Sequence, residues 1–275
     1  MNQLEVVARD IATVYGKNNK VISVMMAGSV SRNLSDEFSD IEIYVLWEDG
    51  PTDAERKQTI SQLDGKILSF FDFEDEEWSE AYSVNGIKIE VSNFLYETIK
   101  RFIGDVTVSM ETEIEKQLIV SSIQDGIPLF GLEKVIDLKK RVQTYPNELQ
   151  VKMVECQLFF SSRWTARDAF IHRGDFFIYQ KVASDSIEKI LLILHGLNGR
   201  YVVHPAFKWL TYTIDQLERK PADLEKRIFN IINNQTEQSV RDLETLLEET
   251  VDLIVAHLPT VEVEEFKKQI RGTRA

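Results

Sequence analysis

Ala27-Gly28-Ser29-Val30-Ser31-Arg32, followed by Ser39-Asp40-Ile41-Glu42, puts a glycine-serine turn after one apolar run and two alternating carboxylates at the start of the next. Val21 to Met26 reads as a buried strand, so Gly28-Ser29 falls where a strand gives way to a turn and a short helix. The free N–H groups of such a helix start favour anions. On an extended strand Asp40 and Glu42 share one face, while Ile41 and Ile43 point to the other. Two hard oxygen ligands beside a phosphate cradle are what a magnesium nucleotide needs.

A third acid lies further on, in Ser79-Glu80-Ala81-Tyr82-Ser83-Val84-Asn85-Gly86-Ile87-Lys88-Ile89-Glu90-Val91-Ser92. Asn85-Gly86 is a strong hairpin signal, because both residues tolerate the positive φ that a type I′ turn demands. Beyond it Ile87, Ile89 and Val91 take one face and Lys88, Glu90 and Ser92 the other, so Glu90 lies on a polar strand face as Asp40 and Glu42 do.

Gly28-Ser29, a spacer and Asp40-x-Glu42 resemble the signature of the nucleotidyltransferase superfamily, whose members share a polymerase β-like fold. The resemblance covers Val21 to about Trp47. The family's usual Arg-Gly after the Gly-Ser is Arg32-Asn33 here, and the second carboxylate is glutamate instead of the commoner aspartate. Neither departure removes a charge, a ligand or the helix start. Within the superfamily, Ser39-Asp40-Ile41-Glu42 followed by Tyr44 looks most like the antibiotic adenylyltransferases of the lincosamide type, with the aminoglycoside enzymes close behind.

The resemblance implies a catalytic triad of Asp40, Glu42 and Glu90 holding Mg²⁺, with Glu90 as a further ligand or as the base. It implies nucleotide contacts from Gly28, Ser29, Arg32 and Ser39. The later stretch Leu197-Asn198-Gly199-Arg200-Tyr201 to Lys208-Trp209 resembles a segment of superfamily members with helical C-terminal domains, where the lysine approaches the nucleotide phosphates. That role is carried to Lys208. A base from the helical half, Glu155 or Asp168, is a second candidate, because a carboxylate beside divalent cations has lowered proton affinity.

The order of elements predicts an α+β chain. An amphipathic helix over residues 2 to 17 leads into the first strand, Thr52 and Glu55 form a capping-box pattern for a helix reaching Leu63, and a short strand spans Lys66 to Phe71. Residues 94 to about 125 read as helical, Gly126-Ile127-Pro128 with Gly131 as a break, and Leu132 to Val142 as a helix. From Pro146 onward helical periodicity dominates, over Asn147 to Ile171, Phe176 to Leu197, Pro221 to Ile232 and Glu237 to His257. The expected domains are residues 1–142, a mixed-sheet nucleotidyltransferase domain, and 143–275, a helical bundle, with Tyr145-Pro146-Asn147 supplying the break.

Composition narrows the function classes. The 275 residues, 43% of them hydrophobic, allow one large or two ordinary cores. No apolar run approaches the roughly 20 residues of a membrane span, and Glu5, Arg9 and Asp10 are unlike a signal peptide, so the reading is cytoplasmic with no membrane partner. The one cysteine, Cys156, forms no internal disulfide and reads as buried in a helix. The net charge of −13 argues against nucleic acid as acceptor and favours cationic substrates. Asp72, Glu74, Asp75, Glu76, Glu77 and Glu80 crowd the approach to the hairpin. His204 is a candidate for substrate contact, whereas His172, His195 and His257 lack metal-ligand spacing and read as structural. No Walker loop, Gly-x-Gly-x-x-Gly stretch or Gly-x-Ser-x-Gly elbow is present.

The expected activity is Mg²⁺-dependent transfer of a nucleoside monophosphate, from ATP or another nucleoside triphosphate, to a hydroxyl of a small molecule, with an aminoglycoside or lincosamide antibiotic as candidate acceptor. The expected state is a monomer or homodimer. Two alternatives are a protein adenylyltransferase of the minimal nucleotidyltransferase type and a member that binds nucleotide without turnover.

Overall fold

The computed structural model describes residues 3–273 and divides the chain into two compact units, Met1–Ser109 with Ile119–Thr144, and Met110–Leu118 with Tyr145–Ala275. The segment Met110–Leu118, which the sequence reading groups with the N-terminal half, goes with the second unit. The chain is α+β: a mixed sheet in its N-terminal part, then helices.

In the first unit, helix α1 (Gln3–Tyr15) leads into strand β1 (Val21–Ala27), the short helix α2 (Gly28–Ser31) and β2 (Ile41–Trp47). Residue 2 of the expected first helix lies outside the described residues. Helix α3 (Asp53–Gln62) starts on the expected capping box: the Thr52 side chain accepts from the Glu55 amide and Glu55 from the Thr52 amide. Then come β3 (Lys66–Phe70), β4 (Trp78–Val84), β5 (Ile87–Leu95), α4 (Tyr96–Thr107), α5 (Ile114–Asp125), β6 (Ile127–Phe130) and α6 (Leu132–Val142). The predicted hairpin joins β4 to β5, with Asn85 at φ 51° and Gly86 at φ 82°.

Among the described residues six strands form one sheet in the order β3-β4-β5-β2-β1-β6, with β2 and β5 parallel and the other neighbours antiparallel. Strand β6 corrects the expectation of a break at Gly126 to Gly131: Ile127-Pro128 is an edge strand against β1, the place in a sheet where proline's missing N–H is tolerated. The expected helix from 94 to 125 is likewise two helices, parted by Val108–Glu113, with Met110 at φ 58°. One sheet face buries Val24, Met26, Ile41, Ile43, Val45, Trp47, Ile89 and Val91 under α1 and α3. Tyr44 and Phe94 pack edge to face on the opposite face, ring centroids 5.4 Å apart.

The second unit is helical, comprising α7 (Asn147–Glu155), a 3₁₀ turn at Trp164–Ala166, α8 (Arg167–Arg173), α9 (Phe176–Asn198), α10 (Leu210–Asp215), α11 (Leu224–Asn233), α12 (Glu237–His257) and α13 (Glu264–Arg271). The helix expected over Asn147 to Ile171 stops at Glu155 for a tertiary reason. Phe160 stacks between Trp164 and Phe266, at centroid distances of 4.5 and 4.8 Å, and its amide is tied to the Gln269 side chain. Cys156 is therefore the half-buried cap of α7, with Sγ donating to the Met153 carbonyl, and not part of a continuous buried helix. Among the described residues no helix is long and apolar enough to cross a membrane.

Candidate active site

The site begins where β1 ends. Gly28 stands at φ +65°, a conformation that side chains other than glycine adopt at a cost, and an added Cβ there would overlap the Glu42 carboxylate. Two requirements thus meet at one residue, a positive φ and the close approach of an acid from the neighbouring strand. Ser29 is buried behind it, and the Ser31 hydroxyl returns to the Gly28 carbonyl at 2.9 Å to close the turn.

The parallel register of β2 on β5 sets Glu42 directly opposite Glu90 and Ile41 opposite Ile89. The alternation read from the sequence therefore holds across two strands, and both acids project from the face opposite the α1–α3 core. Asp40 immediately precedes β2. Its carboxylate and that of Glu90 are joined by Lys88, whose ammonium lies 3.3 Å from Asp40 Oδ2 and pairs with Glu90 Oε1. The Glu90 hydrogen bond, with help from Asp40, raises the Lys88 pKa. Like charges facing each other across strands repel, and Lys88 offsets that repulsion here. Sequence reasoning named Lys88 only as a neighbour of Glu90; its position two residues earlier on the same polar face was the signal for a larger part.

More polar groups extend this face. Burial pushes the Tyr44 phenol up to about 12, with Glu42 and Glu77 adding to the rise while Ser122 and Arg32 oppose it. Burial also raises Glu77, against a hydrogen bond from Ser92, the register partner of Tyr44. Arg32 is nearly enclosed: its Nε meets Asp125 Oδ2 at 2.8 Å and its Nη2 donates to Ser121 at 3.1 Å. Ser39 closes a loop turn with Asp36, donating to its carboxylate and accepting from its amide. A cavity of about 680 Å³ is lined by Asp36, Phe38, Ser39, Asp40, Gly86 and Lys88, among others, and so reaches the Asp40–Lys88 pair.

Of the sequence-predicted residues, Gly28, Ser29, Asp40, Glu42 and Glu90 are gathered around the ends of β1, β2 and β5, whereas Arg32 is braced by the C-terminal part of α5 and Ser39 belongs to the loop before β2. Lys208 lies in the second unit, exposed, with Nζ 4.6 Å from the Trp209 ring. Glu155 and Asp168 are exposed positions of that unit. His204 accepts from the amides of Ala206 and Lys208 through Nδ1. His195 is buried, bonded to the Leu191 carbonyl at 2.7 Å and lowered by burial to about 4.

The acidic run preceding the hairpin does not act as one group. Glu80 turns to the core face, where it meets Arg56 at 2.9 Å, the Asn93 amide at 2.9 and 3.0 Å and the Tyr15 hydroxyl at 3.3 Å. Glu76 pairs with Arg101 at the surface.

Among the described residues no group of three or more His, Cys, Asp and Glu side chains converges on a metal position. Mg²⁺ in nucleotide sites commonly takes one or two carboxylates with waters and substrate phosphates rather than a protein cage. Asp40 and Glu90, which bracket the Lys88 ammonium, are carboxylates of that kind.

Fold and site thus define a two-unit α+β protein with carboxylates and a lysine at the open end of a mixed sheet. A family described as "Domain of unknown function (DUF4037)" matches residues 112–210, a stretch that contains Lys208 and none of the residues from Gly28 to Glu90. No curated protein matches the chain. Among solved structures the chain is similar to a nucleotidyltransferase-like protein from Exiguobacterium sibiricum 255-15, at 12% identity and a TM-score of 0.43, over 97% of this chain and 78% of that one.

Proposed function

We propose that the protein is a nucleotidyltransferase that moves a nucleoside monophosphate, AMP from ATP in the first instance, onto a hydroxyl of a small molecule and releases pyrophosphate. The observation that carries the reading is the pairing of β2 with β5: it sets Glu42, two residues beyond Asp40, opposite Glu90, with Gly28 packed against the Glu42 carboxylate. Mg²⁺, when bound, neutralises phosphate charge and orients the triphosphate for in-line displacement.

The remaining work falls to the chain. Asp40 and Glu90 offer hard oxygens to the cation. Gly28, lacking a side chain, makes room for the Glu42 carboxylate beside the turn whose backbone N–H groups would face a phosphate. Arg32, fixed by Asp125 and Ser121, holds positive charge behind that turn. The net charge of −13 favours a cationic acceptor, which makes aminoglycosides the first compounds to screen and lincosamides the second.

The test is release of pyrophosphate from ATP with Mg²⁺ across such a panel. Asp40→Ala should lower turnover by more than about a hundredfold, since even an outer partner of a metal ligand is worth 10 to 100-fold. Turnover equal to wild type in that variant would place the chemistry elsewhere. A second reading, nucleotide binding without turnover, is favoured by one observation: Lys88 already neutralises Asp40 and Glu90. ATP binding by calorimetry with no pyrophosphate from any acceptor would select it.

A further inference from the structure

Lys88 holds two of the three carboxylates, Asp40 and Glu90, that the nucleotidyltransferase reading gives to a metal. An ammonium and a divalent ion cannot both sit against one carboxylate pair, because Mg²⁺ needs its oxygens at about 2.1 Å and the two cations would repel at contact range. The geometry also supplies a way out. Lys88 is half-exposed on a flexible four-carbon stem, at the start of β5 next to the hairpin turn, and it lines the cavity that opens beside Asp40. An anion in that cavity would find the ammonium within reach.

We propose that Lys88 is a resident counter-cation which a divalent ion must displace from Asp40 and Glu90, so that metal alone binds weakly and a nucleotide's phosphates, by drawing the ammonium away, let it bind tightly. The proposal rests on the nucleotidyltransferase reading of the site. Its physical content is a linkage: whatever factor nucleotide contributes to metal affinity, metal contributes to nucleotide affinity. Lysine suits the part because its charge is compact and its stem mobile, whereas a planar guanidinium would stay locked in a fork. Lys88 is then a positioning residue whose effect is read in metal binding before any turnover is measured.

The experiment uses Mn²⁺ as the metal probe on the full chain, with free Mn²⁺ followed by electron paramagnetic resonance and folding checked by circular dichroism. Without nucleotide, Lys88→Met and Lys88→Gln should each bind Mn²⁺ roughly tenfold more tightly than wild type, within the usual range of coupling between two sites, while Lys88→Arg should stay near wild type. Adding ATP should tighten Mn²⁺ in wild type and do so far less in Lys88→Met. Unchanged or weaker Mn²⁺ affinity in both neutral variants, with Asp40→Ala still abolishing binding, overturns the proposal and leaves the metal site standing. Mn²⁺ binding that ignores Asp40→Ala, or is absent from every variant, overturns the site reading and this proposal with it.

Discussion

The sheet of the first unit carries two acid–base arrangements, one on each face. On the core face Glu80 and Arg56 are wholly withdrawn from solvent and closely held: Asn93 donates to Glu80 and accepts from Trp47, Tyr15 caps the second oxygen, and Arg56 reaches the Phe71 carbonyl, with its Nε left without a partner. On the other face Lys88, Glu90 and Asp40 keep 46%, 47% and 28% of their side-chain surface. The same chemistry serves opposite ends. A buried pair held by Asn93 ties β4 to β5 and has no freedom to bind anything, whereas an open pair stabilises little and can exchange one cation for another.

Mutation can break that contrast. Arg56→Met or Glu80→Gln should each cost about 3–5 kcal/mol in urea unfolding, because the surviving partner is left buried and unpaired, while Glu90→Gln should stay within about 0.5 kcal/mol. Equal costs on the two faces would mean that the open pair is also structural. Gly28→Ala sharpens the same contrast at the turn. It should cost about 1–3 kcal/mol from the positive φ, plus the overlap with Glu42. A double-mutant cycle with Glu42→Ala should recover the overlap part and leave the backbone part behind.

The smallest effect belongs to a third acid, at the exposed start of α3. Thr52→Ala should lower stability by about 1 kcal/mol at neutral pH. Glu55, held down to about 2 chiefly by the Thr52 amide, has a folded pKa below its unfolded one. Its contribution is thus complete above about pH 4.5 and fades as pH falls toward 2. Thermal melts of wild type and Glu55→Gln should converge over that interval.

What the sequence showed of all this was whatever depended on neighbours along the chain. Asn85-Gly86 dictated a hairpin through backbone φ alone, Thr52 and Glu55 announced a helix start, and the alternation about Ile41 and Ile89 put Asp40, Glu42 and Glu90 on polar faces. Contacts made across the fold were invisible. Ile127-Pro128 looks like a break until β1 is beside it, Phe160 looks helical until Trp164 and Phe266 enclose it, and Glu80 looks like one more member of an acidic run until Arg56 and Asn93 claim it. At the site, the acids were legible from their spacing and Lys88's bridge was not, because an ion pair across strands needs the register that only pairing supplies.

Helix α5 has one consequence in time. Its first residues belong to the second unit and the rest of it to the first, which is finished at Thr144. During synthesis at about 5–20 residues per second, the first unit can therefore close while Met110–Leu118, with the buried Gln117, waits on the order of ten seconds for the helices it packs with. That interval is when a chaperone or a protease would find this chain most accessible.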